Sequence, residues 1–229
     1  MRKATWKTQL GRPASLIELV GAPVEFDLTA TVFGRVNAGL PGEVWPDYRG
    51  RPMQPVAQLN LLEAPYLPDN LRDLALIALF FDRDALPIDA GNGDGWRLRA
   101  YPSLDGLCPL AIPREFERVR GRPARYRLLE RDFPDWEDAA DLDIPDEVSD
   151  NWEEDFGSTE GSKLGGWPSL LQSKISWAAG EEHLALPEYA FQIARMDKLK
   201  TAMSADSIGY FGRGTGTSRD VWTFAYQLY

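Results

Sequence analysis

The longest unbroken apolar run in this chain is LALIALFF, Leu74–Phe81, only eight residues. A helix that crosses a bilayer needs roughly 20. An apolar run this short, bounded by Pro, Asp and Arg, reads instead as a strand covered on both faces. Around it, shorter segments alternate with the period of a strand. They are PVAQLNL at 55–61, WRLRAYP at 96–102, residues 124–129, YAFQIA at 189–194, SIGYF at 207–211 and VWTFAYQLY at 221–229. The 20 Gly and 17 Pro divide the chain into short elements. Loops are expected at 90–96 (AGNGDGW) and 212–220 (GRGTGTSRD). Ser15–Val20 is apolar at near-helical spacing and is expected to be a helix, with a strand over 24–32 after it. The reading is a sheet-rich α+β fold in a single domain, residues 1–229.

Charge is confined. Residues 132–162 read DFPDWEDAADLDIPDEVSDNWEEDFGSTEGS and hold thirteen of the 35 acids and no Lys or Arg. The other 22 acids face 25 bases, so the net charge of -10 is set by this one stretch. Phe133, Trp136, Leu142, Ile144, Val148, Trp152 and Phe156 recur through it, which predicts partial folding rather than disorder. Trp ringed by carboxylates is the composition of an interface hot spot, and dense negative charge accelerates encounter with a cationic surface. The candidate partner-binding residues are Asp135, Trp136, Glu137, Asp138, Trp152, Glu153, Glu154 and Asp155. The plainer alternative is a solvated connector whose Trp residues pack back on the core. Arg114–Arg131 directly precedes the acid, and pairing between the two is a further possibility.

The segments on either side of the acid resemble each other. Phe33-Gly34 matches Leu164-Gly165, Ala57-Gln58-Leu59 matches Phe191-Gln192-Ile193, and Leu79-Phe80-Phe81 matches Gly209-Tyr210-Phe211. Gly34 to Gln58 spans 24 residues and Gly165 to Gln192 spans 27. The expected organisation is two intertwined pseudo-repeats, about 31–131 and 163–229, joined by an acidic connector at 132–162. Gln58 and Gln192 then lie where the repeats meet. They either satisfy buried backbone groups there or line a cleft for a small ligand.

Several chemistries lack their residues. There is one His, His183, and one Cys, Cys108, so the usual zinc sites cannot be assembled within one chain and no intrachain disulfide can form. His183 lies in AAGEEHLALPEYA, with no nucleophile elbow nearby. Asp141-Leu142-Asp143 begins like a calcium loop, but Pro145, Asp146 and Trp152 occupy its fifth, sixth and twelfth positions. Residues 209–218, GYFGRGTGTS, lack the Lys of a phosphate-binding loop and precede a strand. Paired acids suited to glycoside chemistry are abundant by composition alone. No cofactor, metal, nucleic acid or membrane is expected as a partner. The opening MRKATWKTQLGRP carries no apolar signal core, and the expected location is the cytoplasm.

Certain segments resemble the YwqG-like family of bacterial proteins. In the first half these are Leu40-Pro41-Gly42-Glu43-Val44-Trp45-Pro46, Gly50-Arg51-Pro52-Met53, Ala57-Gln58-Leu59-Asn60 and Leu79-Phe80-Phe81-Asp82. In the second they are SKLGGWPSLLQ at 162–172 and Ile208–Phe211. Gly34-Arg35 and Asp206-Ser207 depart from the family's pattern, which has a further Gly at each turn. The resemblance implies an α+β fold of two related sheet units and supplies no catalytic residues. It also brings an association with toxin-immunity loci. The functional expectation is a non-catalytic cytoplasmic binding protein, an immunity protein that neutralises a toxin through its acidic, Trp-bearing surface. The alternative is an enzyme or small-molecule binder using a cleft between the pseudo-repeats.

Overall fold

Residues Arg12–Leu19 form a strand, not the helix expected over Ser15–Val20, and this strand sits at the centre of the main sheet. Ala14, Ser15, Leu16 and Ile17 are all buried, so both faces are covered and the polar alternation that marks a half-exposed strand is missing. The computed structural model describes residues 3–21, 27–140, 142, 144–177, 184–194 and 207–228.

In chain order, α1 (Lys3–Leu10) and β1 (Arg12–Leu19) are followed by β2 (Val32–Phe33), β3 (Ala38–Gly39), β4 (Asp47–Tyr48) and β5 (Arg51–Pro52). Then come β6 (Gln54–Asn60), β7 (Leu76–Phe81), β8 (Trp96–Tyr101), β9 (Cys108–Pro109) and β10 (Arg122–Asp132). The acidic stretch holds α2 (Trp136–Ala139), α3 (Asp146–Ser149) and α4 (Trp152–Phe156). The chain continues with β11 (Ser162–Gly165), β12 (Glu188–Ala194), β13 (Ser207–Arg213) and β14 (Trp222–Leu228). Of the strand expected over 24–32, residues 24–26 lie outside the described residues and Val32 begins β2. The segments expected to be strands at 55–61, 74–82, 96–102, 124–129, 189–194, 207–211 and 221–229 all carry one.

Ten strands make one antiparallel sheet in the order β14-β13-β12-β11-β1-β10-β2-β6-β7-β8. The pairs β3·β9 and β4·β5 are separate two-residue ladders. The large sheet curls until its margins meet. Trp96 on β8 lies 5.6 Å from Phe224 on β14, and Phe81 on β7 lies 5.1 Å from the same ring. Inside the curl, Phe33, Leu59, Leu79, Phe81 and Trp96 pack with Leu164, Phe191, Phe211, Trp222 and Phe224. Phe191 and Phe211 stack at 4.4 Å between ring centres, an arrangement that adds to the area they bury. β7 shows how a continuous apolar run serves two faces. Ile77, Leu79 and Phe81 join this core, while Leu76, Ala78 and Phe80 turn to a second one with Val36, Met53 and Tyr101.

A charged clasp joins the two sides of the molecule. Arg213, at the end of β13, is buried and donates to Asp73 Oδ1 at 2.6 Å and Oδ2 at 3.0 Å, and also to Asn70 O at 2.7 Å. The guanidinium bond holds the Asp73 carboxyl below its ordinary value of 3.8. Among the described residues, no helix is long and apolar enough to cross a membrane.

The clasp sets a pH signature. A carboxyl whose folded pKa is depressed stabilises the fold above its unfolded value, and that contribution is lost as pH falls through the folded value. Asp73→Asn is expected to cost about 1–3 kcal/mol at neutral pH, because the buried guanidinium loses its charged partner. In urea melts the gap between wild type and variant should narrow as pH drops below about 4. A gap independent of pH would show that the pair does not contribute in this way.

Candidate functional site

The acidic stretch begins on the last residue of β10 and ends on the first residue of β11, and a buried ion pair closes it. Asp132 and Lys163 side chains are both 0% exposed, with Lys163 Nζ donating to Asp132 Oδ2 at 2.8 Å. The remaining acceptor capacity of Asp132 is used: Oδ1 takes the Thr159 N–H and Oδ2 the Trp167 N–H, each at 2.8 Å. Lys163 also donates to Thr159 O at 2.6 Å. Burial pushes the Lys163 ammonium down, and Asp132 pushes it back up. The following Gly165-Gly166 turn has φ of +69° at both residues, which side-chain-bearing residues rarely adopt. A Cβ on Gly166 would collide with Asp132 Oδ2, so Lys163, Gly166 and Trp167 of the segment SKLGGWP all serve this ion pair.

Between these ends the chain folds back on α1. Trp6 and Leu10 of α1 pack with Ala139, Val148, Trp152 and Phe156. Trp152 is 4% exposed, stacks on Phe156 at 4.5 Å and donates its indole N–H to Pro134 O at 3.0 Å. One face of α4 is thus internal, and Glu153 and Glu154 take the other. Trp136 remains 42% exposed and meets Trp152 edge-on at 5.4 Å, which sets α2 beside α4.

The eight predicted partner-binding residues therefore divide. Trp136, Glu137, Glu153 and Glu154 face solvent. Trp152 is a core residue. Asp135 is a structural anchor that accepts from Leu170 N at 2.6 Å and Ser158 Oγ at 2.8 Å. Burial pushes the Asp135 and Asp138 carboxyls above their ordinary values, against the Asp135 hydrogen bonds. Asp155 lies 3.6 Å from Lys7 of α1. Arg125 and Arg127 of β10 pair with Glu18 of β1 rather than with the acid. Glu137, Glu153 and Glu154 have no cation within ion-pair distance among the described residues.

Gln58 and Gln192, the alternative ligand-binding residues, are wholly buried and act as staples. Gln58 accepts from Asn37 N at 2.9 Å and Ala38 N at 3.0 Å, and donates to Leu28 O and Ala30 O. Gln192 accepts from Ser169 N at 2.9 Å and the Tyr189 hydroxyl at 3.1 Å, and donates to Gly161 O and Ser169 Oγ. Each amide thus has both ends occupied by the protein itself. Sequence reasoning missed Asp132, Lys163 and Arg213. The available signal was a lone Lys, the first base after the base-free stretch, set inside a strand.

Among the described residues, no group of His, Cys, Asp or Glu could hold a metal ion. His183, Asp141 and Asp143 lie outside the described residues. No protein-family model matches this chain, and no curated protein matches it.

Two outcomes follow. Lys163→Met strands a buried carboxylate and is expected to cost roughly 3–5 kcal/mol by urea unfolding, with part of it regained in Asp132→Asn/Lys163→Met. A loss below about 1 kcal/mol would mean that the pair is hydrated. Gln58→Leu and Gln192→Leu should each cost at least about 2 kcal/mol, because each orphans several buried backbone groups. A near-neutral variant would contradict the staple role.

Proposed function

We propose that this chain is a non-catalytic, cytoplasmic binding protein that contacts a basic protein partner through the face formed by α2 and α4. Its particular form is an immunity protein that occludes a toxin domain. The observation that carries the reading is Trp136, an exposed indole seated edge-on against buried Trp152, with Glu137, Glu153 and Glu154, which have no ion-pair partner among the described residues, on the same two helices. Holding a Trp ring rigidly before contact reduces the ordering cost of binding. Carboxylates without a cationic partner among the described residues retain their long-range field.

The proposal includes kinship with YwqG-like proteins and an α+β architecture of two intertwined pseudo-repeats. Matched polar contacts support the repeats. Asn60 N donates to Thr31 Oγ1 and Ala194 N to Ser162 Oγ, both at 3.0 Å. Gln58 bonds Ala30 O and Ala38 N, and Gln192 bonds Gly161 O and Ser169 N. Gly34 and Gly165 share positive φ, +73° and +69°. Ala30, Thr31, Gly34 and Ala38 precede Gly161, Ser162, Gly165 and Ser169 by the same 131 residues. The third strands match in a shifted register. Gln58 lies opposite Ala78 and Gln192 opposite Tyr210, so Ala78 rather than Phe80 corresponds to Tyr210.

Capture from a native lysate on the immobilised full chain, read by mass spectrometry, tests for the partner. With it in hand, Glu137→Gln/Glu153→Gln/Glu154→Gln should slow association about tenfold at low salt and flatten its salt dependence. Trp136→Ala should raise the Kd at least about 30-fold. Recovery of no protein, or an on-rate indifferent to the three neutralisations, sinks the proposal.

A further inference from the structure

A cleft of about 570 Å³ opens on the side of the sheet where the loop after β6 meets the Gly165-Gly166 turn and the start of β12. That volume lies within the range of about 300–1,000 Å³ typical of small-molecule sites. Its walls are fixed. Tyr66 is held at its backbone by buried Ser15, whose Oγ donates to Tyr66 O at 2.7 Å and accepts from Tyr66 N at 3.0 Å. Asn70 ties the opposite wall, donating to Tyr189 O at 3.1 Å. Gly165 leaves room for the Tyr66 ring, since a Cβ there would come to 3.0 Å from Tyr66 Cε1.

Among the described residues, Arg12 is the one basic residue in the lining of this cleft. Its guanidinium lies 3.4 Å from the centre of the Trp167 ring, and it makes no hydrogen bond or ion pair with any described residue. A stacked guanidinium keeps its fork of donors free at the edge, the geometry that takes a carboxylate or phosphate in two bonds. Tyr66 lines the same cleft, and its hydroxyl makes no hydrogen bond with the described residues. Two donors therefore serve one cleft. The acids set the charge it accepts. Asp138 and Asp132 also act on Arg12, and Asp132 is already paired with Lys163. With a single cation present and Asp138 near, one negative charge suits the cleft better than the two of a phosphate. The Glu188 carboxylate, exposed and unpaired among the described residues, stands in the same lining, while Asp69 is held by Arg72 at 2.9 Å.

We propose that this cleft binds a small zwitterion of the free amino-acid class, its carboxylate taken by Arg12 and the Tyr66 hydroxyl and its ammonium by Glu188. This site lies apart from the acidic protein-binding face, and the case for it does not rest on that face.

The test is ligand-observed NMR on the full chain. The probes are each of the common L-amino acids, matched amines without the carboxylate (agmatine, histamine, phenethylamine), 3-phenylpropionate without the ammonium, and inorganic phosphate. At least one amino acid should bind with a Kd of about 10 mM or tighter, and tenfold or more above its amine or acid analogue. Arg12→Gln should weaken that binding at least about tenfold. Tyr66→Phe keeps the ring at Gly165, loses only the hydroxyl and should weaken it several-fold, so the proposal stays testable if Arg12→Gln is poorly folded. Glu137→Gln/Glu153→Gln/Glu154→Gln should leave it unchanged. No amino acid binding in this range, tighter binding of phosphate, or binding indifferent to both cleft variants would overturn the proposal.

Discussion

The buried Asp132–Lys163 pair governs much of the molecule's polar architecture. Two charges without solvent exposure are stable only when further hydrogen bonds support them, and here Thr159 and Trp167 engage both carboxylate oxygens while Thr159 O takes a second ammonium donor. The geometry has consequences in sequence. The pair joins the end of β10 to the start of β11, so the residues between them must leave the sheet and return as a closed excursion. Asp132 occupies the space a side chain at Gly166 would need, and the left-handed turn there, φ +69°, likewise calls for glycine. That turn delivers Trp167, whose indole N–H bonds Leu10 O at 2.7 Å and whose ring carries Arg12. One ion pair thus links the acidic excursion, α1 and the cleft. An apolar replacement could match its stability, but not the four directed bonds that set this geometry.

Elsewhere long polar side chains do what strand partners do in regular sheet. Gln58 and Gln192 stand opposite Val32 and Lys163 in register and reach past the strand to hold the neighbouring loops and the start of β3. Gln227 of β14 repeats the device at the margin, accepting from Leu171 N at 2.8 Å and donating to Ser173 O at 2.6 Å. A sheet that curls on itself buries its loops as well as its strands, and buried backbone groups require such partners. These amides are fully committed to the protein, and the proposed ligand contacts rest on Arg12 and Tyr66 instead.

The strands with clear alternation or a continuous apolar core, β6, β7, β8, β12, β13 and β14, were legible in sequence, because one or both faces meet a core and their lengths suit the pattern. β1 was not. Its apolar residues at 14, 16 and 17 fit a helical stripe as well as a doubly covered strand, and only pairing with β10 and β11 decides between them. β2, with two residues, is too short to carry a period. In the acidic stretch, the recurring apolar residues correctly implied folding, yet Trp136 and Trp152 look alike in sequence. Which of them is internal depends on Trp6 and Leu10, more than 100 residues away. Arg213 and Asp73 meet across a separation of 140 residues, with nothing local to announce them.

The two proposed surfaces are joined electrostatically. Asp138 belongs to α2, beside exposed Trp136 and Glu137, and its field also falls on Arg12 in the cleft. As long as Asp138 is ionised it lowers the potential at Arg12 and weakens the hold on a carboxylate. A cationic partner seated over α2 offsets that field and so favours an anion at Arg12. By thermodynamic reciprocity, a ligand whose carboxylate neutralises Arg12 leaves Asp138 less compensated and the acidic face more attractive to a cation. The sign of this coupling follows from the charges alone. Its size is set by a solvent-screened interaction between groups that do not touch, so it is modest beside the contacts at either surface. Burial raises the Asp138 carboxyl, and the coupling fades on acidification earlier than it would for an ordinary aspartate.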